Sequence, residues 1–160
     1  MRIAVATEQD IPAIREVLHA SWLAANEAIY SAAYIERFLK RTFTEKGLTH
    51  AVNNQGAVYL VAFAEDRLVG VCHFGAPLFD DCETRKELYY IYVHPDYWGQ
   101  GVGTALLDEL GHYLRPQRKT EVFTYLNPQS DAALDFFIHR GFVHLPSEDK
   151  DGESYLRRVL

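Results

Sequence analysis

The sequence predicts one mixed α/β (α+β) domain over residues 1–160, and three observations predict it. Segments of β-branched and aromatic residues with period-two alternation interleave with segments whose apolar residues recur every three to four positions. Their order is β-α-α-β-β-β-α-β-α-β-β. Hydrophobic residues make up 48% of the chain, enough for an ordinary core. A domain of about 150 residues buries roughly 68–70% of its unfolded surface. The third observation is the stretch 87–107, which runs strand, glycine loop, helix. Residues 88–93 are aromatic and β-branched, and His94-Pro95-Asp96 ends the strand because proline has no N–H for a ladder. Gly99, Gly101 and Gly103 follow, and Val102, Ala105, Leu106, Leu110 and Tyr113 then mark a helical stripe.

Taken in order, residues 2–7 alternate as a half-buried strand. Thr7 or Asp10 is placed to cap the helix that follows, with Pro12 in its first turn and Ile14, Val17, Leu18 and Trp22 along its apolar stripe. A second helix is predicted over residues 32–43, with Tyr34, Ile35, Phe38 and Leu39 facing inward. Asn53-Asn54-Gln55-Gly56 is a turn, and residues 57–64 and 68–75 form a hairpin across Glu65-Asp66-Arg67. Residues 77–86, with Asp80, Asp81 and Glu83, read as an exposed acidic loop, either merely solvated or attracting a cation. The helix of the central stretch ends at Arg115-Pro116, and residues 120–126 alternate as a strand. After a turn at 127–130, with Asn127 or Ser130 as cap, Ala133, Phe136, Phe137 and Arg140 lie on a helix. It stops at Gly141, which suits a left-handed cap. Residues 142–145 and 154–159 are the last strands, joined by the polar turn 147–153.

Charge and composition narrow the class of partner. A formal charge of −6 argues against nucleic acid, which calls for a basic surface, and is compatible with a cationic substrate. No apolar run approaches the ~20 residues of a membrane span. Met1-Arg2-Ile3 leads straight into patterned sequence with no signal peptide. Cys72 and Cys82 are too few and too unpatterned for a disulfide framework or a metal site, and read as reduced structural residues. The expectation is a cytoplasmic protein without membrane or nucleic-acid partners. None of the histidines shows metal or triad spacing; His94 and His139 read as structural, and His112 belongs to an exposed helix face.

The glycine loop is the feature that carries chemistry. Its backbone N–H groups lie at a helix N-terminus, which bears about half a positive charge and unpaired donors, so the loop is an anion site. A dinucleotide fingerprint does not fit: counted from Gly99 its last position is Thr104, and from Gly101 it is Leu106. A P-loop is excluded by the absence of lysine. What remains is the x-x-x-G-x-G/A pattern, preceded by Ile-Tyr-Val-His-Pro and followed by Ala-Leu-Leu. The segment resembles the pyrophosphate loop of the GCN5-related N-acetyltransferase (GNAT) superfamily, and the order of elements matches that fold over essentially the whole chain.

The resemblance implies an acyl-CoA N-acyltransferase fold: a mixed, mostly antiparallel central sheet splayed at two strands, here 88–93 and 120–126, with helices on both faces. It implies acetyl-CoA in the gap. Backbone groups of Ile91, Tyr92 and Val93 would hold the pantetheine arm and thioester carbonyl. Amides of Gly99, Gln100, Gly101, Val102, Gly103 and Thr104 would hold the pyrophosphate, and Asn127, Ser130 and Phe137 would extend the cofactor site. Trp22, Asn26 and Tyr30 become candidates for acceptor contact, against the alternative that the aromatics only pack two helices together. Glu87 becomes the candidate general base, against the alternative of a surface glutamate at a strand end.

Three positions depart from the family pattern. Trp98 stands where Gln or Arg is usual, Ser130 replaces an asparagine, and Phe137 replaces the tyrosine that protonates the leaving thiolate, a role open to Tyr92 or Tyr97. The implied function is acetyl-CoA-dependent transfer to a primary amine of a small molecule or peptide; a non-catalytic acyl-CoA-binding or sensor module is the alternative. The superfamily also makes a homodimer compatible with the chain.

Overall fold

The computed structural model describes residues 1–160 and contains one seven-stranded sheet with five α-helices. The strands are β1 (Arg2–Val5), β2 (Ala57–Ala64), β3 (Arg67–Gly75), β4 (Arg85–Val93), β5 (Glu121–Leu126), β6 (Val143–His144) and β7 (Ser154–Val159). They lie in the order β1-β2-β3-β4-β5-β7-β6. Every neighbouring pair is antiparallel except β4 and β5. The helices are α1 (Ile11–Asn26), α2 (Ala32–Thr42), α3 (Glu45–Asn53), α4 (Val102–Leu114) and α5 (Asp131–Ile138).

Alternation along the strands gives the sheet two apolar faces, and each collects its own core. On one face Leu60, Ala62, Cys72, Phe74 and Leu88 pack with Leu106, Leu107 and Leu110 of α4 and Phe137 of α5. On the other, Tyr59, Val61, Leu68 and Val71 meet Ile14, Val17, Leu18 and Trp22 of α1, together with Ile35 and Leu39 of α2 and Leu48 of α3. The mixed, mostly antiparallel sheet with helices on both faces is therefore the predicted one.

The parallel pair creates the site. β4 and β5 are in register only at Arg85↔Glu121, Lys86↔Val122 and Glu87↔Phe123. At the next step the Thr124 hydroxyl donates to the Leu88 carbonyl (2.9 Å), and beyond it the two strands have no ladder. Each is held by its other neighbour: β4 pairs with β3 as far as Val93↔Gly70, and β5 with β7 as far as Leu126↔Ser154. β4 also carries a bulge, because Leu88 is opposite Phe74 and Tyr90 is opposite His73. The extra residue, Tyr89, shares a face with Tyr90, and both rings meet His73 edge-on.

Several expectations need correction. α3 is a helix that the periodicity does not predict; Gly47, Thr49 and Asn53 are poor helix formers, and capping of the Gly47 N–H by Thr44 (3.0 Å) and burial of Leu48 hold it instead. Tyr34 does not face inward but is exposed at the start of α2, whose cap is Ser31. Asp10 does not cap α1 by its side chain; its carboxylate accepts the Thr7 N–H at 2.8 Å. Neither Asn127 nor Ser130 caps α5 by its side chain, and Asn127 closes a turn by accepting the Gln129 N–H at 3.0 Å. β4 starts at Arg85, so the exposed loop before it is shorter than predicted and Glu87 lies inside the strand. Cys72 is buried, but Cys82 is exposed and has no structural role in either core.

Candidate active site

The loop that follows β4 is built by backbone geometry. Gly99 and Gly101 have φ of 74° and 83°, in the left-handed region where a Cβ is penalised, and α4 begins at the next residue. The first amides of α4 have no partner within the helix. A Cβ built on Gly99 or Gly101 would meet nothing within 4 Å, so this face of the loop is open to a ligand. Gly103 differs: a Cβ there would lie 2.9 Å from Cζ of Phe136, so its role is close packing of α4 against α5.

The loop borders a cleft of about 590 Å³. One wall is Ile91, Tyr92 and Val93 of β4; the other is Ala133, Phe136, Phe137 and Arg140 from α5 and the turn after it, with Ser130 at its start. Gly99, Gly101, Val102, Gly103 and Thr104 close one end. Of the residues expected along the cofactor, Gln100 and Asn127 do not line the cleft: the Gln100 amide donates to the Asp96 carbonyl (2.9 Å) and that of Asn127 to the Tyr30 hydroxyl (2.9 Å). Trp98, half exposed, donates its indole N–H to the Val93 carbonyl at 2.7 Å.

The wall on α1 was missed by sequence reasoning. Ser21, Ala24 and Ala25 line the cleft, whereas Trp22, one residue and about 100° further round the helix, turns into the core. Its ring stacks on Phe38 with centroids 4.2 Å apart. Asn26 donates back to the Trp22 carbonyl (2.8 Å), and Tyr30 stacks on Tyr34 while accepting from Asn127. Three small residues at helical spacing are the signal that would have identified the cleft face of α1. Arg140 was also missed as a site residue. No local pattern marks it, because its partner Thr104 lies on another helix.

Glu87 does not line the cleft but lies at the root of the parting strands, 5% exposed. Its Oε2 accepts the Leu78 N–H at 2.8 Å. Burial raises its pKa above the ordinary glutamate value, the Leu78 N–H opposes this, and the charge of Asp80 adds to the rise. Glu87 in turn helps raise the pKa of the Tyr89 and Tyr125 hydroxyls, after burial as the main cause. Around it, Arg85 pairs with Asp80 and donates to the Tyr155 hydroxyl at 3.1 Å. The pKa of Glu153 is raised by burial and then by Asp151.

Phe137 offers no proton: it is 4% exposed and packs edge-on against Phe142 and Phe136. Of the two alternative tyrosines, Tyr92 lines the cleft with its hydroxyl pushed up to about 12 by burial. Tyr97 lies beside the glycine loop, beneath the Arg67 guanidinium at 5.6 Å.

A sheet parted between its two parallel strands, with a glycine loop and helix N-terminus at the mouth of the gap, defines an acyl-CoA N-acyltransferase fold. Within that class the chain belongs to the acetyltransferase (GNAT) family, whose model matches residues 18–142. It is therefore an N-acetyltransferase with acetyl-CoA as co-substrate, and the open, Cβ-free face of its loop fits a diphosphate. It is similar to a spermidine N(1)-acetyltransferase of Thermoplasma acidophilum, 25% identical over 152 residues that cover 92% of this chain and 89% of that one. Among solved structures, a PaiA N-acetyltransferase from Thermoplasma acidophilum in complex with coenzyme A superposes with a TM-score of 0.90 at 21% identity, covering 99% and 98% of the two chains. The ribosomal-protein-S18-alanine N-acetyltransferase of Escherichia coli has the same fold at a TM-score of 0.71 and 16% identity, over 99% and 92%.

Proposed function

We propose that the enzyme acetylates a primary amine of a small, multiply cationic molecule of the polyamine kind, with Glu87 as general base. The observation that carries this reading is the buried Glu87 carboxylate at the point where β4 and β5 separate. Acetyl-CoA supplies an activated acyl group, and an amine must be neutral to accept it. An alkyl amine of pKa about 10.4 costs roughly 4.6 kcal/mol to deprotonate at pH 7, against about 1 for an α-amine near 7.7–8.0. A polyamine therefore calls for both a base and an electrostatic environment that holds its remaining charges.

Three charges act on Glu87: Asp80 and Glu153 raise its pKa and Arg85 lowers it, so carboxylates outnumber cations there. Asp80 is paired with Arg85, but Glu153 has no cationic partner within ion-pair distance. On this reading Glu87, which lies behind the cleft wall, takes the ammonium proton through water, while neighbouring carboxylates hold the rest of the acceptor. The relative named for spermidine acetylation supports the same acceptor class. Release of CoA thiol measured across spermidine, putrescine, free lysine and a peptide with a free α-amine tests the reading. The polyamines should show the highest kcat/KM; preference for the peptide α-amine would replace this reading.

A further inference from the structure

We infer that Arg140 is the side-chain cation that meets the diphosphate of bound coenzyme A, delivered from beyond α5 rather than from the glycine loop. Three observations lead there. The loop has no cation of its own: its first position is Trp98, and the indole N–H is already committed to the Val93 carbonyl at 2.7 Å. Arg140 is the one ionised side chain that lines the cleft, whose other walls are apolar or small. Its direction is also set: Nε donates to Oγ1 of Thr104 at 2.8 Å, in the first turn of α4, and the guanidinium lies 5.2 Å from the ring of Phe136.

The chemistry follows from this geometry. Thr104 takes the Nε–H, and a guanidinium anchored by Nε keeps its terminal N–H groups for a second partner; in Arg140 those groups have no protein hydrogen-bond partner. Their anchor, Thr104, is in the first turn of α4, whose leading amides are free, and at Gly101 just before that helix a Cβ would find open space. An oxyanion bound by those amides meets the guanidinium as well, and charge-assisted bonds of this kind are the stronger ones. Arg140 and Thr104 then form one unit. The threonine hydroxyl positions the arginine, in addition to any bond it makes to phosphate itself.

The left-handed Gly141 (φ 84°) closes the α5 end immediately after Arg140, with the Phe142 N–H on the Phe137 carbonyl (3.1 Å) and the Gly141 N–H on the Ile138 carbonyl (3.1 Å). This closure fixes the backbone from which Arg140 reaches toward α4.

Titration calorimetry of the full chain with CoA and with 3′-dephospho-CoA tests the assignment. Arg140→Gln should weaken both ligands by a similar factor, about 10- to 100-fold, the range of a lost charge-assisted bond. Arg140→Lys, which keeps the charge and loses the planar fork, should recover part of that loss. Thr104→Val, which leaves the guanidinium but removes its anchor, should weaken CoA less than Arg140→Gln does. Should Arg140→Gln not fold, the Arg140→Lys and Thr104→Val pair carries the test, and wild-type affinity in both overturns the proposal. A loss seen with CoA and not with 3′-dephospho-CoA also overturns it, since the arginine would then read the 3′-phosphate.

Discussion

Burial takes Glu87 out of water and outweighs the Leu78 N–H and the Arg85 charge, so its proton affinity rises, and this has two measurable consequences. In catalysis, kcat/KM should fall as pH drops through the raised pKa, at a pH above that of an ordinary glutamate. Glu87→Gln should remove this acid limb and lower kcat/KM by about 10²-fold or more, with CoA affinity kept; a near-wild-type rate at neutral pH would assign the proton elsewhere. In stability, the folded-state pKa lies above the unfolded one, so folding favours the protonated form. The stabilisation is complete below the unfolded pKa and is lost as pH rises through the folded value. Glu87→Gln should therefore melt higher than the wild type at pH 7 and show no advantage in acid, which thermal scans at the two pH values will show. Phe137 is the complementary case, a position that ought to carry a proton and does not. A thiol of pKa about 8.5 leaves as thiolate at pH 7 for a penalty near 2 kcal/mol, so Phe137→Tyr should raise kcat by no more than roughly 30-fold. A larger gain in steady-state rate would show that departure of the thiolate limits the wild-type enzyme more than this account allows. Abolished turnover in Tyr92→Phe or Tyr97→Phe, with acetyl-CoA binding retained, would place the acid at that tyrosine instead.

The strand–loop–helix unit from β4 to α4 and the short helix α5 do most to shape the cleft, and each depends on a residue with positive φ. Gly101 is at φ 83° with open space where its Cβ would be. Gly101→Val therefore adds backbone strain and also fills the ligand's space. CoA affinity should drop by about 3 kcal/mol or more, roughly 100-fold, in calorimetry. Gly141 at φ 84° ends α5, and Gly141→Ala should cost about 1–2 kcal/mol, the penalty of a side chain in the left-handed region, read from the denaturation midpoint at unchanged m-value. Both glycines are legible in the amino-acid sequence, because turn conformation is set by the residue itself and its immediate neighbours. α3 is not, because its nine residues have weak propensity and its existence depends on Leu48 reaching the core under α1.

Across the molecule, the proposed polyamine acceptor would be drawn in over long range by the formal charge of −6 and the carboxylates near Glu87. Such attraction is screened as the Debye length shortens from about 10 Å at 0.1 M salt to about 3 Å at 1 M. The KM for a polyamine should rise over that range, more steeply than for a singly charged amine, with kcat little changed; equal salt responses for the two would count against electrostatic capture. The two cores share one sheet, so the cleft has a wall from each side: Ala24 and Ala25 from α1, Phe136 and Phe137 from α5. By itself the sequence determined what depends on near neighbours: the alternation of residues 88–93, the stripe of α4, the glycine loop between them and the stop at Gly141. Tertiary structure alone decided which face of α1 meets the cleft, so that Trp22 is core and Ser21 is lining. It decided where β4 and β5 part, through the bond from Thr124 to Leu88, and that Arg140 reaches Thr104, each pair 36 residues apart. The physical reason is range: dihedral preference and periodicity act over a few residues of chain, whereas the meeting of two elements is set by how their apolar faces fill space against the same sheet.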